Sequence, residues 1–130
     1  MNDIEAEKLL ARILEGARRA GADGADAVIF AGVSSGVSCR LGNLEDIERS
    51  ESRDIGLRIF FGQRQASVST TDASSDSLGE LVERCAAMAR AAPEDRWCGL
   101  APSERLARAP FPDLDLGDFT EPDTATLFAR

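Results

Sequence analysis

The sequence predicts an α+β domain: a mainly antiparallel sheet of four or five strands in a hairpin meander, two amphipathic helices packed on one face, then an extended Pro-rich connector. Three observations predict it. From Gly36 to Asp72, apolar and polar residues largely alternate with the period of two that a half-buried strand requires. On either side of that stretch, apolar residues recur at helical spacing. All five prolines then fall between Pro93 and Pro122.

The first helix is expected over Asn2 to Ala20. Asn2 can cap it, with Glu5 three residues on as a capping box requires. Leu10, Ile13, Leu14 and Ala17 share one face, with Leu9 beside them. Gly21 is placed to end the helix in a left-handed conformation, and Ala22 to Ala25 turns the chain. Asp26 to Val33 reads as a first strand, apolar on both faces and so central or covered. Ser34-Ser35-Gly36 reads as a turn. Val37, Cys39 and Leu41 give a second strand with one dry face, and Gly42-Asn43 is a tight-turn pair. Leu44 to Ser52 is a third strand, followed by a turn at Arg53-Asp54. Ile55, Leu57, Ile59 and Phe61 alternate through a fourth. Gly62-Gln63-Arg64 turns again, and Ala66, Val68 and Thr70 define a fifth.

Asp72 to Asp76 is rich in capping residues. A second helix runs from there to about Ala92, with Leu78, Leu81, Val82, Cys85, Met88, Ala89 and Ala92 on one stripe, and Pro93 stops it. The texture then changes. Residues 93–122 predict an extended connector with one short helix near Ser103 to Ala107, a span too long for an ordinary loop inside a compact domain. Glu121-Pro122-Asp123-Thr124 reads as a helix start, and its pattern barely begins before Arg130. The expected organisation is therefore an α+β domain over 1–92, a connector toward a further domain over 93–122, and the start of a truncated helix over 123–130.

Composition bounds the chemistry. The 130 residues carry 15 basic and 23 acidic side chains, a net charge of −8. That field repels phosphate backbones and anionic lipid, so neither nucleic acid nor a membrane is an expected partner. The amino terminus lacks an apolar signal core. Three cysteines without a Cys-x-x-Cys point to reduced thiols in a cytosolic protein rather than a disulfide framework or zinc site. The chain has no histidine. That removes Ser-His-Asp and Cys-His catalysis and His-ligated metals.

Four groups of residues invite a chemical reading. Glu45, Asp46, Glu48, Glu51 and Asp54 form an acidic cluster that could bind a divalent cation or act as a carboxylate pair. Its spacing lacks the oxygen-ligand loop of a calcium site, and a solvated hairpin face explains it. Gly32 to Gly36 could cradle an anion, but no lysine and no helix follow it. Ser67 to Asp76 sets hydroxyls beside carboxylates without a base to activate them, which suits helix capping. Cys39 and Cys85 fall on apolar faces and read as core. Cys98, with Trp97, Leu100, Phe111 and Phe119, suits an inter-domain contact. No catalytic, cofactor-binding or metal-binding residue is assigned.

The order and spacing of several short pieces resemble the amino-terminal domain of the PmbA/TldD family, also called modulators of DNA gyrase and TldD/TldE proteases. The pieces are Ala20-Gly21-Ala22-Asp23, Gly36-Val37-Ser38, Gly42-Asn43-Leu44-Glu45, Ile55-Gly56-Leu57-Arg58, Ala66 to Asp72, and Ala109 to Leu116 with its Pro-Asp-Leu-Asp run. The Ser-Thr-Thr-Asp ending at Asp72 is similar to the PmbA (TldE) branch. The resemblance implies a cytosolic subunit of a peptide-degrading complex. It also implies a homologous TldD-like partner, whose later domain holds zinc through a His-Glu-x-x-x-His motif, and a peptide substrate. On this reading the present chain is a non-catalytic scaffold that contacts partner or peptide through its sheet, with no cofactor of its own; a homodimer of the fragment is a further option. The rivals are a stand-alone protein- or peptide-binding module and a small enzyme built on the acidic cluster.

Overall fold

The computed structural model describes residues 3–117, 120 and 122–129. The elements are α1 (Asp3–Arg19), β1 (Gly24–Arg40), β2 (Asn43–Phe61), β3 (Arg64–Thr70), α2 (Ser75–Ala91), a 3-10 turn (Ser103–Arg105) and α3 (Thr124–Phe128). The strands lie in the order β1-β2-β3 and are joined by two-residue hairpins, so the sheet is antiparallel throughout.

The expected four or five strands are therefore three. The predicted breaks at Ser34-Ser35-Gly36 and Arg53-Asp54 fall inside β1 and β2, which continue for 17 and 19 residues. The reason is backbone conformation. A two-residue reversal needs left-handed φ. In the sheet region this occurs at Leu41 (φ 50°), Gly42 (φ 79°) and Gly62 (φ 58°), but not at Gly36. The first reversal accordingly sits at Leu41-Gly42, one residue earlier than expected, with both φ positive as in a type I′ turn. The second sits at Gly62-Gln63, where the glycine alone is positive, the sign pattern of type II′.

The chain divides into two compact units, residues 1–31 with 52–100 and residues 32–51 with 101–130. The first holds the core. β2 presents Ile55, Leu57 and Ile59, all buried, to Ile13 and Ala17 of α1 and to Leu78, Leu81, Val82, Cys85, Ala86 and Ala89 of α2. Burying each large aliphatic side chain contributes about 1.5–3 kcal/mol. β2 and β3 pair in the register Ile55–Thr70 through Phe61–Arg64. That places Ala66 and Val68 on the helix side, where they pack against the core.

The helix ends follow local chemistry. Gly21 (φ 83°) closes α1 as a Schellman motif: Ala22 N–H donates to Ala17 C=O at 3.1 Å and Gly21 N–H to Arg18 C=O at 3.0 Å. Asn2, the expected cap, lies outside the described residues. Ser74 caps α2 and accepts from Ser77 N–H. Asp72 accepts from the backbone and hydroxyl of Ser74, which holds its carboxyl below the usual range. Arg12 Nη1 donates to Ser75 Oγ at 2.9 Å, and Arg90 donates to Ala20 C=O. The two helices therefore run parallel, with both amino ends at one side. Leu14 and Met88, assigned to the buried stripes, are exposed.

Two expectations about β1 also fail. Apolar on both faces, it was expected to be central or covered, yet it is an edge strand with Val28 and Phe30 exposed. The predicted dry face of Val37, Cys39 and Leu41 is not dry: Val37 is half-buried, Cys39 is exposed and Leu41 is 94% exposed. Alternation fixes which residues share a face, but not whether a helix covers that face.

Cys85 is the buried thiol. Its Sγ lies 3.3 Å from Ala66 C=O and 3.6 Å from Leu57 C=O, and burial pushes its pKa above the ordinary 9.0. The unfolded thiol ionises first, so this group's stabilisation is complete below pH 9 and is lost as pH rises through the folded value. The urea midpoint is expected to fall between pH 8 and pH 10.5, and to fall less in Cys85→Ala. An equal fall in both proteins would refute this assignment.

In the second unit, Asp123 caps α3 by accepting from Thr126 N–H at 2.8 Å. Val37, Ile47 and Leu127 line a shallow recess of about 370 Å³. The short helix expected over Ser103 to Ala107 is a single 3-10 turn without buried residues. Phe119, Glu121 and Arg130, which entered the sequence reading, lie outside the described residues.

Candidate functional site

Strand alternation gives the sheet of the first unit two faces. Ala25, Ala27, Ile29, Ile55, Leu57, Ile59, Ala66 and Val68 turn toward the helices. The intervening residues form the opposite face, and there Asp26, Val28, Gly56, Arg58, Ser67 and Ser69 line a depression of about 610 Å³. Its floor is Gly56, whose missing side chain matters: a Cβ there would lie 3.2 Å from Val28 Cγ1. Val28 and Phe30, 62% and 66% exposed, give this face an apolar flank on an edge strand.

The polar flank is a fork. Arg58 donates Nε to Asp26 Oδ1 at 3.0 Å and Nη2 to Asp26 Oδ2, a two-point pair that fixes the guanidinium plane. Hydrogen bonding to Asp26 raises the Arg58 pKa. The same guanidinium lies 5.1 Å from the ring centre of Phe60. Leu100 and the buried Phe60 both close on Gly24, where a Cβ would lie 3.3 Å from Leu100 Cδ1 and 3.7 Å from Phe60 Cδ2. A surface with aromatic and branched apolar groups beside a fixed ion pair is suited to recognition. It offers no activated nucleophile and no general base.

A second concave feature lies between α1 and α2. It has a volume of about 560 Å³, and Arg12, Arg19 and Arg90 rim it over Gly16, Gly79 and Val82. Gly16 is explained by packing, since a Cβ there would meet Val82 Cγ2 at 3.2 Å. Gly79 has nothing within 4 Å of that position, although glycine inside a helix costs about 1 kcal/mol relative to alanine.

The residues singled out from the sequence are placed as follows. Glu45, Asp46, Glu48, Glu51 and Asp54 all lie exposed along β2. Glu45 pairs with Arg40 and Glu51 with Arg49, and Asp46 accepts from Ile47 N–H. Among the described residues no three His, Cys, Asp or Glu side chains converge as a metal site would require. With no histidine either, the donor set does not fit zinc. Gly32 to Gly36 belongs to β1 and starts no helix. Asp72, Ser74 and Ser77 are engaged at the start of α2, as capping predicts. Trp97 is exposed beneath Arg96, Cys98 is half-buried, and Phe111 is exposed.

Sequence reasoning did not bring together Asp26, Val28, Phe30, Gly56 and Arg58. Parity could have done so: 26, 28 and 30 share one face of β1, and 56 and 58 share one face of β2. The missing step was that β1 is an edge. No helix among the described residues is long and apolar enough to cross a membrane.

Residues 25–89 match the PmbA/TldA metallopeptidase domain 1. The chain is 32% identical over 94 residues to "Metalloprotease PmbA" of Escherichia coli O157:H7, which covers 72% of this chain and 21% of that protein. Its fold is similar to that of a protein described as a modulator of DNA gyrase from Bacteroides thetaiotaomicron (TM-score 0.77, 19% identity, 86% of this chain and 25% of the other). It is also similar to TldE from Thermococcus kodakarensis (TM-score 0.66, 14% identity, 86% and 25%). The chain thus spans about a fifth to a quarter of the length of these relatives.

Proposed function

The chain belongs to the PmbA/TldD family, and on that premise we propose that it is the non-catalytic amino-terminal module of a PmbA (TldE)-like subunit. In this reading it contacts a homologous TldD-like subunit, or the peptide held between the two, in a cytoplasmic complex that degrades or processes peptides. Zinc and the hydrolytic step belong to residues of the partner. This chain supplies a surface, not a reacting group.

The observation that carries the reading is the open sheet face, where Val28 and Phe30 stand exposed beside the fixed Asp26–Arg58 pair. Exposed aromatic and branched side chains next to an oriented guanidinium are the composition of interface centres. β1 is moreover an edge, so its backbone groups are available to an added strand. The absence of histidine supports a supporting rather than a hydrolytic role.

Hydrogen exchange tests this directly. Adding the TldD-like subunit is expected to slow exchange in residues 24–31 and 54–60, while the α2 amides stay as they were. Unchanged exchange across both strands would remove the proposal. Protection confined to the hairpin tip around Leu41 would move the contact elsewhere and remove it equally.

A further inference from the structure

We infer that the arginine-rimmed groove between α1 and α2 is a self-association site that receives the acidic, leucine-bearing segment Phe111–Gly117 of a second copy of this chain. The groove is basic in a chain of net charge −8. Arg12 stands at the end where α2 begins, and so adds to the positive pole of that helix. Arg19, which also pairs with Glu15 at 3.1 Å, and Arg90, which donates to Ala20 C=O and lies over Phe61, stand at the other end, and Glu83 is the carboxylate in the lining itself. Glycine at position 79, which no neighbour among the described residues requires, leaves the wall bare where another backbone can approach.

The segment has the complementary character. Asp113 and Asp115 alternate with Leu114 and Leu116, which are 64% and 86% exposed, and Phe111 is exposed too. No strand or helix uses its backbone. Asp113 gives one oxygen to Asp115 N–H at 3.0 Å, which leaves the other carboxylate oxygen for an arginine. Pro110 and Pro112 restrict the free chain, so ordering it on a partner costs less.

Sedimentation over a concentration series, at low and at high salt, tests the inference on the whole chain. Arg12→Glu with Arg19→Glu is expected to weaken association at least tenfold at low salt, and so is Asp113→Lys with Asp115→Lys. Combining all four substitutions should recover part of the loss. A peptide copying residues 109–117, titrated into labelled protein, should shift the Gly16 and Gly79 amide resonances of the parent but not of the groove variant. These spectra also report whether each variant is folded. A chain that stays monomeric at every concentration and leaves those glycines unmoved by the peptide overturns the inference. Association indifferent to both pairs of substitutions overturns it, as do peptide shifts centred on Val28 and Gly56.

Discussion

Leu57→Ala is expected to lower the unfolding free energy by about 2–5 kcal/mol, the cost of removing a buried leucine and leaving a cavity. Leu57 is 1% exposed at the middle of the central strand, with α2 above it and Cys85 against its carbonyl. A domain of this size has about 5–15 kcal/mol in total, so one substitution removes a large share. Urea titration followed by far-UV circular dichroism should show a lower midpoint with an unchanged slope. A loss below about 1 kcal/mol would mean that the site collapses around the gap, and that the three β2 side chains are not the centre of the core.

Phe30→Asp should do the opposite. Phe30 is 66% exposed and lies outside the buried core cluster, so stability is expected to change by less than about 0.5 kcal/mol. Affinity for the TldD-like subunit, measured by calorimetry, is expected to drop about 30-fold or more, the about 2 kcal/mol that marks an interface hot spot. Undiminished affinity would take the open sheet face out of the interface. The pair of substitutions separates folding from recognition, because Leu57 and Phe30 lie on opposite faces of one thin sheet.

Both helices could be read from the sequence because their determinants are local. Gly21 ends α1 with a left-handed residue and Ser74 caps α2, each within a few residues of the groups they satisfy. The alternation of Ile55, Leu57 and Ile59 was equally legible as a strand, but the strand read as central or covered was Asp26 to Val33, which lies at the edge. Strand number was not. Ser34-Ser35-Gly36 and Arg53-Asp54 have turn-like composition, but a strand tolerates those residues wherever solvent accepts their side chains. The reversal at Leu41, a residue that disfavours positive φ, was hidden for the converse reason. The candidate site was the least legible part. Asp26 and Arg58 are 32 residues apart in the chain and meet only because β1 and β2 lie side by side. The acidic cluster, the more conspicuous signal, makes exposed ion pairs with Arg40 and Arg49 and does not converge on a metal site among the described residues.

That cluster still has a consequence for the hairpin that carries it. Glu45, Asp46, Glu48, Glu51 and Asp54 lie exposed along β2, where Glu45 pairs with Arg40 and Glu51 with Arg49. Two such hairpins brought together edge to edge would set like charges against each other along most of their length. Edge-to-edge aggregation through this stretch is thereby made costly.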